Sequence, residues 1–271
     1  MMRLSGFADE IHEDVSVQLS VMRDIGIGAI ELRGVDGRNI SQLSLEETKM
    51  LYRKLHQNGF NVSALGSPLG KISINDPFAP HLALFDHMMQ QAQILETPYV
   101  RLFSFYDAFE DRDQVLARME AFIEHTPSGI TLLHENEKEI YGDTADRCLD
   151  LLTYFNSPVL RATFDPANFI QVGEPVLPAF DKLAPYIAYV HVKDALYSDH
   201  SVTPAGLGDG NWPTLIDRLR AIGYTGYLSL EPHLANFTGL QDLEQEITIK
   251  ADKSQGEVLF RLAAQYLQKL F

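Results

Sequence analysis

Four short apolar runs in this chain stop at, or carry near their end, a side chain that can hold a cation. Thr131-Leu-Leu-His-Glu135 ends on Glu135, Leu160-Arg-Ala-Thr-Phe-Asp165 on Asp165, and Tyr227-Leu-Ser-Leu-Glu231 on Glu231. The fourth, Tyr189-Val-His-Val-Lys-Asp194, carries His191 and Lys193. Side chains alternate along a strand, so His191 and Lys193 share one face while Val190 and Val192 share the other. An imidazole and an ammonium on one face of an apolar strand are poor core material unless that face opens onto a site. Three carboxylates and an imidazole crowded together repel one another or shift in protonation unless a cation resolves the conflict. Three oxygen donors and one imidazole nitrogen suit a single divalent ion, Mn²⁺ or Mg²⁺ first, with Co²⁺ or Zn²⁺ as alternatives. Cys148, the one cysteine, offers no thiolate set for a structural zinc site. The competing reading makes these groups incidental loop residues. Their matching positions at four strand ends weigh against it.

The elements that must position these residues repeat along the whole chain. Strand signals fall at Leu4 to Ala8, Ala29 to Arg33, Phe60 to Leu65, Tyr99 to Phe105, Thr131 to Glu135, Val159 to Phe164, Tyr189 to Asp194 and Gly226 to Leu230. Helical spacing falls between them, at Val15 to Ile25, Leu45 to Gln57, Leu82 to Leu95, Asp113 to Glu124, Thr144 to Phe155, Pro178 to Leu183, Pro213 to Ile222 and Glu257 to Leu270. Strict alternation implies parallel strands joined by crossover helices. Eight repeats filling 271 residues favour closure into a single (β/α)8 TIM barrel, a fold that typically takes about 250. The alternative is an open doubly wound sheet, which the lack of Gly-x-Gly-x-x-Gly after the first strand disfavours in its dinucleotide form. No linker or low-complexity stretch divides the chain, so one domain over 1–271 is expected.

Composition narrows the partners. A net charge of −15 argues against nucleic acid or an anionic membrane. No apolar run approaches the roughly 18 residues of a membrane span. The acidic start, Met1-Met-Arg-Leu-Ser-Gly-Phe-Ala-Asp-Glu10, is unlike a signal peptide, and a lone cysteine fits a reducing compartment. A cytoplasmic location is therefore expected.

The motifs His134-Glu-Asn-Glu137, Phe164-Asp-Pro-Ala-Asn168, His191-Val-Lys-Asp194 and Leu230-Glu-Pro-His233, with Gly6-Phe-Ala-Asp-Glu10 before them, resemble the xylose isomerase-like TIM barrels. Within these, the likeness is to the sugar phosphate isomerase/epimerase family. The loop Gly206-Leu-Gly-Asp-Gly210 before Trp212, with Gly223-Tyr-Thr-Gly226 beyond it, is similar as well. The resemblance implies metal ligation by Glu135, Asp165, His191 and Glu231. It makes Glu135 and Glu231 the paired acid and base, acting on a small carbohydrate. The implied chemistry is proton removal beside a carbonyl to give a cis-enediolate, which two carboxylates on opposite faces would reprotonate with inversion. One carboxylate serving both carbons would isomerise instead.

One position departs from the pattern. Many epimerases of the family carry Asp-x-x-His where this chain has Asp165-Pro-Ala-Asn168. Asn168 can hydrogen-bond a hydroxyl but cannot titrate near neutrality. A lyase acting on 3-keto-glycosides would use the same metal and base, and stands as the alternative. A non-catalytic sugar-binding barrel is the alternative of another class. A metal-dependent apurinic endonuclease would need more histidine ligands and a basic face.

Further substrate contacts are expected from Lys193, on the parity of His191, and from His233, two residues past Glu231. Arg101 and Glu31, with Arg33 beside it, could serve a substrate or pair internally, Glu31 with Arg101 for example. Asp194 points away and would fix a loop or the His191 ring. Gly206 to Gly210 reads as a lid or, less well, as a phosphate cradle. Glu137 divides between substrate contact and a solvated loop acid, and His134 reads as structural. The segment from Asn236 to Ile249 reads as a lid or as a contact with a second copy of the chain.

Overall fold

The computed structural model describes residues 1–234 and 255–271. The eight strands of its main sheet are β1 (Arg3–Gly6), β2 (Ala29–Leu32), β3 (Asn61–Leu65), β4 (Tyr99–Leu102), β5 (Thr131–Glu135), β6 (Leu160–Phe164), β7 (Ile187–Val192) and β8 (Tyr227–Leu230). All neighbours pair in parallel, in the order β1-β8-β7-β6-β5-β4-β3-β2. β1 and β2, the ends of that ladder, pack against each other, so the sheet is a nearly closed TIM barrel. Its crossovers are α1 (Val15–Asp24), α2 (Leu45–Gln57), α3 (Phe78–Ile94), α4 (Arg112–His125), α5 (Ala145–Phe155), α6 (Pro166–Gln171), α7 (Val176–Leu183), α8 (Trp212–Ala221) and α9 (Gly256–Gln268).

Local chemistry explains where these helices start and stop. α2 opens with a reciprocal capping box between Ser44 and Glu47, and Gly59 at φ 76° turns the chain out of it. α3 begins at Phe78, ahead of the expected Leu82, because Pro80 falls in its first turn, where the missing N–H costs nothing. α6 was not anticipated. Asp165 caps it by accepting the Asn168 N–H at 2.9 Å, and Pro166 starts it with a φ suited to a helix. The expected segment from Asn236 to Ile249 lies outside the described residues.

Strand alternation gives the barrel two different surfaces. Outward residues such as Leu132, Val190, Val192, Leu228 and Leu230 meet Phe85, Phe122, Phe164 and Trp212 in one large core. Burial of each such side chain is worth about 1.5–3 kcal/mol. The inward surface is graded along the barrel axis. Inside the barrel Ala29, Ala64, Leu133, Tyr189 and Tyr227 form a small apolar cluster. Ser5, Ser63 and the Tyr189 hydroxyl are hydrogen-bonded in a row, at 2.5 and 2.8 Å. The next layer is ionic. Among the described residues no helix is long and apolar enough to cross a membrane.

Candidate metal centre

Parallel strands deliver their C-terminal ends to one rim, where barrels of this kind place their sites. Glu135 closes β5, Asp165 follows β6, His191 lies on β7 and Glu231 follows β8. None is more than 2% exposed. His191 Nδ1 lies 2.7 Å from Glu135 Oε1, 3.3 Å from Glu231 Oε2 and 3.9 Å from Asp165 Oδ2. One ligand atom from each of the four comes within 4.8 Å of all the others. They form a single constellation.

The donor set fits a divalent ion on two further observations. Asp165 spends Oδ1 on the α6 cap and Glu231 spends Oε1 on Arg33, at 2.9 Å each. Their other oxygens, Asp165 Oδ2 and Glu231 Oε2, are buried and accept no hydrogen bond. Lys193 Nζ stands 3.1 and 3.6 Å from these two, supplying charge without hydrogen-bond alignment. Anionic oxygens stripped of water and left without a donor are costly, and a coordinated cation removes that cost. Nδ1 is presented by a group behind it. His191 Nε2 lies 3.3 Å from Glu31 Oε1, and donation of Nε2–H there would leave the Nδ1 lone pair to a bound ion, which would replace the proton that Nδ1 shares with Glu135 Oε1 at 2.7 Å. Phe7 and Tyr189 hold the ring edge-on, with centroids at 5.2 and 5.8 Å.

The electrostatics separate the carboxylates. Burial pushes the Glu135 carboxyl up, but His191 and Arg101 outweigh it and hold it down at about 2. Burial raises Asp165 to about 6, with Lys193 offsetting only part of it. Glu231 is likewise opposed by burial, yet Lys193, His233 and His191 keep it well below the usual carboxylate range. Both glutamates are therefore held anionic at neutral pH.

The other expected contacts reach the same rim, with changed partners. Arg101 pairs with Glu135 at 3.1 Å and approaches Glu231 at 3.7 Å, so the anticipated Glu31–Arg101 pair does not form. Its Nε and Nη2 are buried without a hydrogen-bond partner. Asn168 Nδ2 donates to the Asn136 carbonyl at 2.8 Å and to Glu135 Oε1 at 3.4 Å. His233 Nε2 lies 3.3 Å from Glu231 Oε1. Glu137 pairs with Lys71 at 3.1 Å, and His134 is buried against Ser104. Asp194 does fix a loop: its carboxylate accepts the N–H groups of Ala195, Gly206, Gly208 and Gly210 at 2.8–3.0 Å. Those three glycine donors are spent on a side chain of the protein, which removes the phosphate-cradle reading. Glu10 and the clamp formed by Arg33 escaped the sequence reading. Glu10 carried the same signal as the others, an acid just past a strand, in Asp9-Glu10.

Fold and centre together define an eight-stranded α/β barrel with a buried acid–imidazole cluster at the C-terminal ends of its strands. The chain belongs to the xylose isomerase-like TIM barrel family, whose model matches residues 19–252. Among curated proteins it is similar to YihM, an uncharacterised protein of Escherichia coli (strain K12), at 22% identity over 217 residues. That match covers 76% of this chain and 62% of YihM, so the chain spans under two thirds of that relative. Among solved structures it resembles D-psicose 3-epimerase with D-tagatose from Clostridium cellulolyticum H10, with a TM-score of 0.78 and 16% identity, covering 99% and 98% of the two chains. It also resembles the probable 3-DHS dehydratase AsbF of Bacillus anthracis, with a TM-score of 0.71 and 18% identity, covering 96% and 98%. At these identities the likeness is one of fold.

Proposed function

We propose that this protein is a divalent-metal-dependent isomerase or epimerase of a small ketose, free or phosphorylated. One observation carries the reading. Two buried carboxylate oxygens without donors, Asp165 Oδ2 and Glu231 Oε2, converge with Glu135 on His191 Nδ1. Glu135, Asp165, His191 and Glu231 would hold the ion. Bound there, it would supply Lewis acidity to a substrate carbonyl and its neighbouring hydroxyl.

The chain's own groups do the rest. Glu135 and Glu231 take and return the proton on the carbon beside the carbonyl, each kept anionic by its cationic neighbours. Arg101 touches both glutamates and keeps two N–H sites for a substrate oxygen. Lys193 Nζ and His233 Nε2, 3.6 and 3.3 Å from the two oxygens of Glu231, would bind hydroxyl groups. Phe7 and Phe103, against the Arg101 guanidinium at 5.1 and 4.9 Å, help to exclude water.

The test is proton exchange. Purified protein loaded with Mn²⁺ is incubated with a panel of ketoses in D₂O, and deuterium beside the carbonyl is followed by NMR. Exchange with formation of an epimer or aldose is expected. Glu231→Gln should lower it at least ~100-fold while leaving the circular dichroism unchanged, and an active variant would remove Glu231 from the proton-transfer role.

A lyase acting on 3-keto-glycosides is the second reading. Asn168 favours it, because its amide is committed to Asn136 and Glu135 and not to a substrate hydroxyl. Elimination from a keto-glycoside without ketose exchange would select it. Metal loading with neither reaction would select a sugar-binding role.

A further inference from the structure

A second group of cation-binding side chains lies directly beside the first. Glu10, Glu231 and His233 are buried and each brings a ligand atom within 4.8 Å of the others. Glu231 belongs to both groups. A carboxylate shared in this way is what a two-ion centre uses as its bridge.

Protein already fills the space between them. Arg33 Nη1 lies 2.9 Å from Glu231 Oε1 and 3.4 Å from His233 Nε2. Its Nη2 lies 3.2 Å from Glu10 Oε1 and 3.1 Å from Asp9 Oδ1, and its Nε lies 2.8 Å from Asp9 Oδ2. The site is built for this guanidinium. A Cβ on Gly34 would sit 2.7 Å from Asp9 Cβ, and one on Gly66 only 2.4 Å from Phe7 Cε1. Bare backbone at those two positions lets Asp9 and Phe7 close around Arg33, whose Cζ lies 4.3 Å from the Phe7 ring centroid. A guanidinium does not lose its proton in proteins, and its donors form a rigid fork. A divalent ion entering here would have to displace several charge-assisted hydrogen bonds at once.

We infer that Arg33 is a resident cation standing where a second divalent ion would bind, so that the centre takes one ion only. By holding Glu231 through Oε1, it also leaves Oε2 for the four-residue site. The inference rests on the reading of that site as a cation centre.

The experiment is Mn²⁺ titration followed by equilibrium dialysis and electron paramagnetic resonance. The unaltered protein should bind one equivalent. Arg33→Ala should bind two, with the spectrum of a coupled pair, and adding Glu10→Gln to it should restore one. One equivalent in both the unaltered protein and Arg33→Ala, or two in the unaltered protein, overturns the inference. No binding by the unaltered protein overturns the four-residue reading as well, so the two failures are distinct. Should Arg33→Ala not fold, Glu10→Gln and His233→Asn in the otherwise intact chain decide. Retention of one equivalent supports the inference, and loss of it shows that those groups ligate an ion and overturns it.

Discussion

The two halves of the barrel rim carry unlike chemistry. Strands β5 to β8 supply the atoms that converge, from Glu135, Asp165, His191 and Glu231. Strands β1 to β4 and their loops supply the groups that hold those atoms in place. Glu31 backs His191, Arg33 clamps Glu231, Arg101 spans Glu135 and Glu231, and Lys71 pairs with Glu137. The difference shows how so much charge is kept out of water. Glu135, His191 and Glu231 each have a counter-charge or an orienting partner in the earlier half, whereas Asp165 has Lys193, just past β7, beside it, and removing one member of such a pair strands the other.

If that division holds, equivalent losses in the two halves should differ in size. Asp165→Asn keeps the cap oxygen of α6 but removes the anionic oxygen that has no donor, and should weaken Mn²⁺ binding by more than ~100-fold. Glu31→Gln keeps an acceptor behind His191 and removes only its charge, so the loss should be about 10–100-fold, the range for groups behind a ligand. Isothermal titration with Mn²⁺ measures both. Equal losses would break the comparison. A Glu31→Gln variant that raises KM with metal affinity intact would instead give Glu31 the substrate role expected from its place in the sequence.

The later half was legible in the sequence and the earlier half was not, for a physical reason. An acid at the end of an apolar strand is a local signal, and Glu135, Asp165 and Glu231 each carry it on their own. The roles of Glu31 and Arg33 depend on partners 160 and 198 residues away, and those pairs exist only once the barrel closes. Their place at the end of the second strand could not say which charge each would meet. The register slip between β2 and β3 at Ile30/Glu31 adds to this, since a bulge re-aims the side chain beside it. The barrel itself was readable from strict alternation. The short helix α6 was missed because its six residues are too few to show a period, and its cap and proline were the only local evidence.

The smallest expected effect concerns how the earlier half is held. The loop that carries Lys71 turns at Gly70, at φ 84°, where a Cβ would meet the Phe103 carbonyl oxygen at 2.0 Å. The Gly70 N–H donates to His81 Nε2 at 2.7 Å, which requires a neutral imidazole. Burial, with Arg118 adding to it and Asp76 opposing, lowers His81 from its ordinary 6.5 to about 4. Between those values the unfolded chain takes up a proton that the folded one refuses. Stability contributed here is complete above pH 6.5 and is lost as the pH falls toward 4. His81→Gln can still accept from Gly70 but cannot titrate. Its unfolding free energy should therefore fall less between pH 6.5 and 4 than that of the unaltered protein, by on the order of 1–3 kcal/mol. Urea denaturation at several pH values measures the difference, and parallel pH profiles would show that the loop does not depend on a neutral His81.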